Sequence, residues 1–414
     1  MGRETNGLFV AYEDIWLMDG VRTPFVDYNG PLGLVSPIDL GIKVARALFE
    51  RTKIAPSDVG SVIAGSVAQT SFDGYVLPRH IGLYSGVPIE RPALLVQRVC
   101  GTGMEAISQA ADAITLKKID LGLCVGAESM SRNPVAAFIH RGGFRMGQVE
   151  FKDFLWEALL DTAPGVTMGE TAETVAATYK ITREDVDRFA ELSFSRALAA
   201  QKSCFLSGEI IPLVSEAFEL SGYKTRGLQL PRGVESLTAD THIRASSFEA
   251  LSKIRPAFGG IQTGGNSSAI VDGAAAALVG SGGYAKSRGI EPLARIAAVA
   301  TVGVRPEIMS MGPAPAIRTL LEGTGLTLEK IDRFEVNEAF AAQLIGVERE
   351  LGLDRNKLNV NGGAIAIGHP LAATGIRLAL TLSRELRRSK LHYGIASACI
   401  GGGQGIAMLI ENRN

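Results

Sequence analysis

The sequence predicts an α/β protein made of two similar halves with an inserted segment between them. Three observations carry that prediction. A strand, a glycine-punctuated turn, a helix and a second strand follow one another from Ala93 to Val125. The same order recurs from Leu358 to Ala398. Between the two passages, roughly from Ser129 to Ala245, the composition changes to loops such as Arg141-Gly142-Gly143-Phe144-Arg145 and a helix.

In the first passage the apolar run from Ala93 to Val99 predicts a strand and Cys100-Gly101-Thr102-Gly103 a tight turn. A helix then runs from Met104 to Leu116, with Lys117 and Lys118 where a helix C-terminus favours cations, and Leu121 to Val125 forms the next strand. Further on, Thr182-Arg183-Glu184-Asp185 has the form of a capping box, and Val186, Phe189, Phe194, Ala197 and Leu198 follow on or near one helical face. That stripe reads as packing rather than binding. Short strands resume at Ala269-Ile270-Val271 and from Ala275 to Val279.

In the last passage Leu358-Asn359-Val360 predicts a strand, and a glycine-rich turn leads to His369. Pro370 suits the first turn of a helix reaching about Leu386, because its missing N–H costs nothing there. Arg387 and Arg388 mark the end of that helix, and Tyr393 to Ala398 is a strand. Cys100 and His369 thus occupy corresponding strand-to-helix turns. Halves that face each other bring two helix N-termini to one cleft beyond the carboxyl ends of parallel strands.

Composition narrows the function. With 42 Lys and Arg against 43 Asp and Glu, the chain has no global basic field to hold nucleic acid or an anionic membrane surface. No uncharged apolar run approaches the roughly 20 residues needed to span a bilayer. Residues near the start, Glu4, Glu13 and Asp14, do not fit a secretory signal, and Glu411-Asn412-Arg413-Asn414 is not a peroxisomal address. The four cysteines, Cys100, Cys124, Cys204 and Cys399, give neither a disulfide framework nor metal-ligand spacing. A soluble protein of the reducing cytoplasm, without metal or membrane insertion, is the expectation.

Two of those cysteines sit at turns. A thiol at a helix N-terminus or beside an imidazole can fall from about 8.5 to roughly 3.5 to 7.5, so placement at its turn can make Cys100 a nucleophile. Cys399 opens Cys399-Ile400-Gly401-Gly402-Gly403, whose free N–H groups can form an anion nest. Cys124, inside an apolar strand, and Cys204, late in a helical segment, read as packing residues. A lone histidine in an apolar stretch is usually structural. The glycines around His369 nevertheless allow close backbone approach, and a neutral imidazole at a helix start can serve a thiol as base, so both roles stay open. Asn337, after Phe334-Glu335-Val336, reads as a helix N-cap, which is compatible with its holding a carboxamide or a water toward an oxyanion.

Four separated motifs then agree in order with one family: Val99-Cys100-Gly101-Thr102-Gly103, Asn337-Glu338-Ala339-Phe340, Gly362-Gly363-Ala364 through Gly368-His369-Pro370, and Cys399-Ile400-Gly401-Gly402-Gly403. Through them the chain resembles the thiolases, the acetyl-CoA acyltransferases and acetyltransferases, from Gly20-Val21-Arg22-Thr23-Pro24 to the C-terminus. The resemblance implies a thiolase fold: two duplicated βαβαβαββ halves in a five-layered αβαβα arrangement with an inserted loop domain. Residues 1–128, completed by about 246–285, would form the N-terminal half, 129–245 the loop domain over the CoA site, and 286–414 the C-terminal half.

The resemblance also implies roles. Cys100 would attack the 3-keto carbon of a 3-ketoacyl-CoA after losing its proton to His369, and Cys399 would act as acid and base toward the acetyl methyl group. One oxyanion hole would use His369 and a water held by Asn337, the other the N–H groups of Cys100 and Gly401, where a side chain would obstruct approach. CoA and acyl-CoA would be substrates, with no further cofactor. CoA contacts would fall to Arg244, Ser268 and Met168, flanked by Ala339 and Phe340. A homodimer or homotetramer, with a multienzyme β-oxidation complex as a further partner, belongs to the same expectation.

Thr167 stands where acetoacetyl-CoA-specific members often carry histidine, which argues against that specificity. Met309 stands where some branched-substrate members place an aromatic residue, pointing to an acyl pocket open to longer linear chains. Two alternatives compete. A ketoacyl-carrier-protein synthase pairs its cysteine with two histidines and typically lacks the second cysteine, and a noncatalytic CoA-binding subunit on the same fold would lose Cys100, His369 or Cys399.

Overall fold

The computed structural model describes residues 7–68, 74–138 and 140–413. Its core is one mixed sheet whose strands run in the order Arg333–Val336, Tyr393–Ile400, Gln404–Glu411, Ala294–Gly303, Ile15–Arg22, Val271–Ser281, Leu121–Glu128, Ser61–Gly65 and Ala93–Leu95. The halves join where Trp16 and Leu17 pair antiparallel with Arg295 and Ala294. Moving outward from that seam, each half repeats one order: its first strand, its last strand, the strand preceding that one, then an earlier strand at the edge side. Beyond the edge side, Ala93–Leu95 lies parallel to Ser61–Gly65, and Leu358 makes a parallel bridge to Phe334. The duplication read from the pattern is therefore a duplication of topology, with Cys100 and His369 downstream of matching edges.

Period-two alternation shows why the central strands are apolar on both faces. Leu121, Leu123, Val125 and Ala127 pack with the helix Pro37–Thr52, whereas Cys124 and Ile63 face the opposite core containing the helix Thr102–Thr115. Val271–Ser281 alternates likewise, with Ala274, Ala276 and Leu278 on one side and Ala275, Ala277 and Val279 on the other. The helices Thr102–Thr115 and Leu371–Ser389 form the middle layer, and Pro313–Thr324 covers the outer face of the C-terminal strands. The two middle helices touch backbone to backbone. A Cβ on Gly103 would stand 2.6 Å from Ile376 N, and one on Gly375 2.4 Å from Met104 N, so glycine is required at that crossing.

Several element predictions are corrected. The strand from Ala93 stops at Leu95, and Val99, read as its last residue, instead takes φ 42° at the start of a 3₁₀ turn. Leu358-Asn359-Val360 is no strand, since Asn359 turns left-handed at φ 45°. The two short strands near 270 are one, Val271–Ser281. Pro370 precedes its helix as the cap instead of lying in the first turn. The capping box at Thr182 is present, and Val186, Phe189, Phe194 and Ala197 are buried, with Leu198 partly so. Cys204 is exposed at φ 60° after that helix, not packed within it.

The inserted segment is anchored by buried charge. Arg22 is fully buried and donates to Glu209 at 2.7 Å and to both oxygens of Asp240 at 2.6 and 2.8 Å, a fork that satisfies a guanidinium taken out of water. Among the described residues no helix is long and apolar enough to cross a membrane.

Candidate active site

Cys100 sits on an elbow. Val99, a β-branched residue, is held at φ 42°, and a single 3₁₀ turn, Val99–Gly101, feeds the helix Thr102–Thr115. Thr102 braces the elbow: its Oγ1 donates to Val99 O at 2.7 Å and accepts from Arg98 N–H at 2.9 Å. A Cβ on Gly101 would meet Ile400 Cδ1 at 2.6 Å, so the elbow lies hard against the end of the Cys399 strand. The Gly401 N–H faces the Cys100 sulfur closely enough to favour its charged form.

Burial, not the helix terminus, decides the resting state of that sulfur. Desolvation pushes the Cys100 thiol up to about 11, against the lowering effect of the Gly401 N–H, and the Glu128 carboxylate adds to the rise. The lowering that a helix start can give a thiol is thus outweighed here by burial.

Cys399 ends the strand Tyr393–Ile400, and Gly401–Gly403 turn the chain into Gln404–Glu411. Gly402 and Gly403 have φ 85° and 82°, and a Cβ on Gly403 would stand 2.3 Å from Val304 O. Gly401 has no such constraint. The nearest atoms to a Cβ there are Met168 Sδ at 3.2 Å and Val99 Cγ1 at 3.5 Å, side-chain atoms and not backbone. Cys399 is fully buried, and burial followed by the neighbouring Cys100 charge raises its thiol well above the ordinary range.

His369 is placed by Gly368 at φ 104°, where a Cβ would strike Val271 at 2.6 Å, and its own N–H donates to Ala269 O at 3.0 Å. Its ring is held at both nitrogens. Nδ1 lies 2.6 Å from Thr374 Oγ1 and Nε2 lies 3.3 Å from Asn337 Nδ2. An amide donating to Nε2 leaves the ring proton on Nδ1, directed at Thr374, and presents Nε2 as the acceptor. Burial drives the imidazole down to about 3, with the Arg377 charge adding to the effect, so the ring is neutral. Asn337 is not an N-cap: its N–H extends the sheet to Ser397 O at 2.8 Å, and Phe340 holds the cap position of the following helix. Asn337 Oδ1 is buried with no hydrogen-bond partner among the described residues.

A cavity of about 560 Å³ reaches this group at His369; its wall also includes Met168, Phe258, Ser268, Phe340 and Leu371, with Cys100, Cys399 and Asn337 packed behind it. A larger concavity of about 860 Å³ near Arg226 and Arg232 contains none of these residues, so the chemistry selects the smaller one. Cys100 shares an apolar cluster with Val67, Met130, Leu155 and Leu371, while Cys399 packs with Ala172, Met309, Ala339 and Phe340. Met309 is buried on the Cys399 side and is not on the cavity wall. Of the expected CoA contacts, Met168, Ser268 and Phe340 line the cavity; Ala339 lies behind it against Cys399. Arg244 is exposed and off the wall, its guanidinium 5.2 Å over the Phe194 ring and beside His242, which does line the cavity. Thr167 caps the helix Met168–Thr178 in a reciprocal box with Glu170, a local reason for a hydroxyl at that position.

Sequence reasoning missed two supporting residues. Thr374 could have been found from its place five residues after His369 on a helix that turns back over the ring. Glu128 had no such signal. It is fully buried and accepts from Ser66 Oγ, from the N–H groups of Val67 and Ala68, and from Ala372 N–H, all at 3.0–3.1 Å, joining the Cys100 side to the start of the His369 helix. Among the described residues no group of three or more His, Cys, Asp or Glu is arranged to hold a metal ion.

The comparisons with known proteins agree with this geometry. The family models described as "Thiolase, N-terminal domain" and "Thiolase, C-terminal domain" match residues 15–282 and 290–412. The mitochondrial 3-ketoacyl-CoA thiolase of Bos taurus is 40% identical over 402 residues, covering 96% of this chain and 98% of that protein. Acetyl-CoA acetyltransferase of Paracoccus denitrificans is also 40% identical over 402 residues, covering 95% and 98%. The crystal structure of human mitochondrial 3-ketoacyl-CoA thiolase in complex with CoA superposes with a TM-score of 0.90 at 39% identity, covering 96% of this chain and 98% of that one.

Proposed function

The chain belongs to the thiolase family, and from that membership we propose how its own residues cleave a 3-ketoacyl-CoA with CoA, or run the condensation in reverse. The observation that carries the assignment is that two buried thiols from separate turns lie close enough to interact, while a buried, neutral imidazole bonded at both nitrogens lines a cavity whose wall also carries Leu371 of the Cys100 cluster and Phe340 of the Cys399 cluster.

The Cys100 proton passes to His369 Nε2, displacing the Asn337 amide from its lone pair, as the sulfur attacks C3 of the substrate. The C2–C3 bond then breaks, the electron pair leaves on the acetyl-CoA enolate, and the Cys399 thiol supplies the proton that makes its methyl group. In the second half the CoA thiol gives its proton to Cys399 as its sulfur attacks the Cys100 thioester, and the expelled Cys100 sulfur takes back the proton held by His369. Because the imidazolium is disfavoured by burial and by Arg377, the thiolate–imidazolium pair is formed only in contact with the electrophile. Developing negative charge is met on one side by His369 and the Asn337 amide, on the other by the N–H groups of Cys100 and Gly401. Nothing in this site favours the carrier-protein synthase or the noncatalytic reading.

Acyl groups extend along the cluster of Val67, Met130, Leu155 and Leu371, which suits short to medium linear chains. CoA enters as a substrate past Met168, Ser268 and Phe340, with Arg244 outside at the rim, and no further cofactor is required. Exposed Leu94 and Leu95 on the outermost strand, and Val135, Phe138, Met146 and Phe151 around the hairpin Val135–Ala136/Lys152–Asp153, support a homodimer or homotetramer. A β-oxidation partner would dock on the same kind of surface. An exposed free thiol at Cys204 suits a reducing compartment, in our proposal the cytoplasm.

The test is intact-protein mass spectrometry after mixing with 3-ketooctanoyl-CoA, together with CoA-dependent loss of the 3-keto ester. We expect one acyl adduct, on Cys100. An adduct that persists in Cys100→Ala, or no CoA-dependent cleavage, would reject the assignment.

A further inference from the structure

The two cysteine-bearing turns lie far apart in sequence, yet the reaction needs their sulfurs at a fixed separation. Arg98, the residue before the strained Val99, spans them. Its Nε donates to Glu105 Oε2 at 2.7 Å, and its Nη1 donates to Gln404 Oε1, 306 residues away, at 2.9 Å. Glu105 lies in the first turn of the Cys100 helix and is itself held by Gln109 Nε2 at 2.8 Å. Gln404 is the first residue after Gly401–Gly403 and pairs with Ile400 across the hairpin of Cys399. Among the described residues this is the side-chain hydrogen bond that joins the elbow to the hairpin.

The two ends differ in what else holds them. The elbow has its own braces in Thr102, in Glu128 through the Val67 loop and Ala372, and in the packing of Gly101 on Ile400. The three glycines of the hairpin turn offer no side chain; the turn is held away from the elbow by Val304 N–H on Gly403 O at 2.8 Å, and toward it by the packing of Ile400 on Gly101 and, through a side-chain hydrogen bond, by Gln404.

We propose that Arg98 and Gln404 are positioning residues forming a strut that sets the Cys399 hairpin against the Cys100 elbow, and so governs Cα-proton transfer more than acyl transfer. The inference rests on the thiolase chemistry proposed above. Neither side chain touches the reacting atoms. Proton transfer between heavy atoms needs about 2.6–3.2 Å, and a misplacement of about 1 Å costs on the order of 10²-fold. Acylation of Cys100, which uses His369 and the elbow, does not depend on the hairpin's side-chain anchor to the same degree.

Two half-reactions separate these effects: acetyl exchange between acetyl-CoA and labelled CoA, and exchange of the acetyl methyl protons with deuterated solvent. For Gln404→Ala we expect acetyl exchange within about threefold of wild type and proton exchange reduced about 10- to 100-fold. Gln404→Glu keeps an acceptor for the guanidinium and should restore proton exchange to within about threefold. Arg98→Ala should show the same split, and Arg98→Ala/Gln404→Ala no greater loss than either alone. Equal losses in both half-reactions, an unchanged proton exchange, or additive losses in the double variant would overturn the strut. A wild-type protein that performs neither exchange would instead sink the thiolase reading, and this inference with it.

Discussion

The elbow of Cys100 and the hairpin of Cys399 solve different problems with the same atom. The elbow stores strain at Val99, points its cysteine at a helix start and keeps it at the edge of an apolar cluster shared with Leu155 and Leu371. The hairpin needs left-handed glycines at 402 and 403, ends no helix and seals its sulfur completely. The comparison teaches that the nucleophile must reach a substrate carbon, whereas the proton carrier must stay dry and close. Both thiols rest protonated because both are desolvated, so the division of labour comes from placement and not from acidity.

The largest expected effect breaks the comparison at the elbow. Cys100→Ala should lose all acyl adduct and lower turnover by roughly 10⁴-fold or more, read as thiolysis of 3-ketooctanoyl-CoA. Cys399→Ala should keep the adduct from acetyl-CoA while methyl-proton exchange falls by about 10²- to 10⁴-fold; equal loss of both would mean that the sulfurs do not divide the work. Asn337→Ala should reduce kcat by about 10²-fold with acyl-CoA affinity little changed, the pattern of a lost oxyanion donor. A rise in KM alone would place Asn337 in binding instead.

Thr374→Val sharpens the comparison by touching only the histidine that serves the elbow. Removing the oxygen that faces Nδ1 should lower kcat about tenfold, with Thr374→Ser close to wild type. A variant equal to wild type would remove Thr374 from the relay.

The smallest effect is in pH dependence. His369 is held down to about 3, so between that value and the ordinary histidine range the unfolded chain binds a proton that the folded chain refuses. This contribution to stability is present above about pH 6.5 and is lost as pH falls toward 3. His369→Gln should flatten the fall in Tm over that window. Acylation of Cys100 should show no inflection near pH 6.5, because neither partner titrates there; an inflection at that pH would reassign the base.

Much of the site was legible because its residues sit at punctuation. Cys100, His369 and Cys399 lie beside glycines and prolines that mark where the chain must turn, and the four motifs resemble one family in order. What misled were readings that took a residue's local preference for its surroundings. Asn337 looked like a cap because asparagine favours caps, yet here its backbone extends a sheet and its amide reaches the imidazole. Leu358-Asn359-Val360 looked like a strand, yet Asn359 turns left-handed at φ 45°. Thr374 and Glu128 left almost no trace, since a threonine inside a helix and a glutamate at a strand end gain meaning only from what they face.

The sequence by itself determined the α/β class, the duplicated passages, the capping box at Thr182 and the turns that carry the sulfurs, all of which depend on neighbours within a few residues. Only the tertiary structure decided that the two thiols meet, that Arg98 reaches Gln404, that Glu128 ties the Val67 loop to Ala372, and that burial outweighs a helix start in setting the Cys100 thiol. The physical reason is that a backbone turn is a local steric choice. Desolvation and hydrogen-bond partnership belong to everything folded around the group.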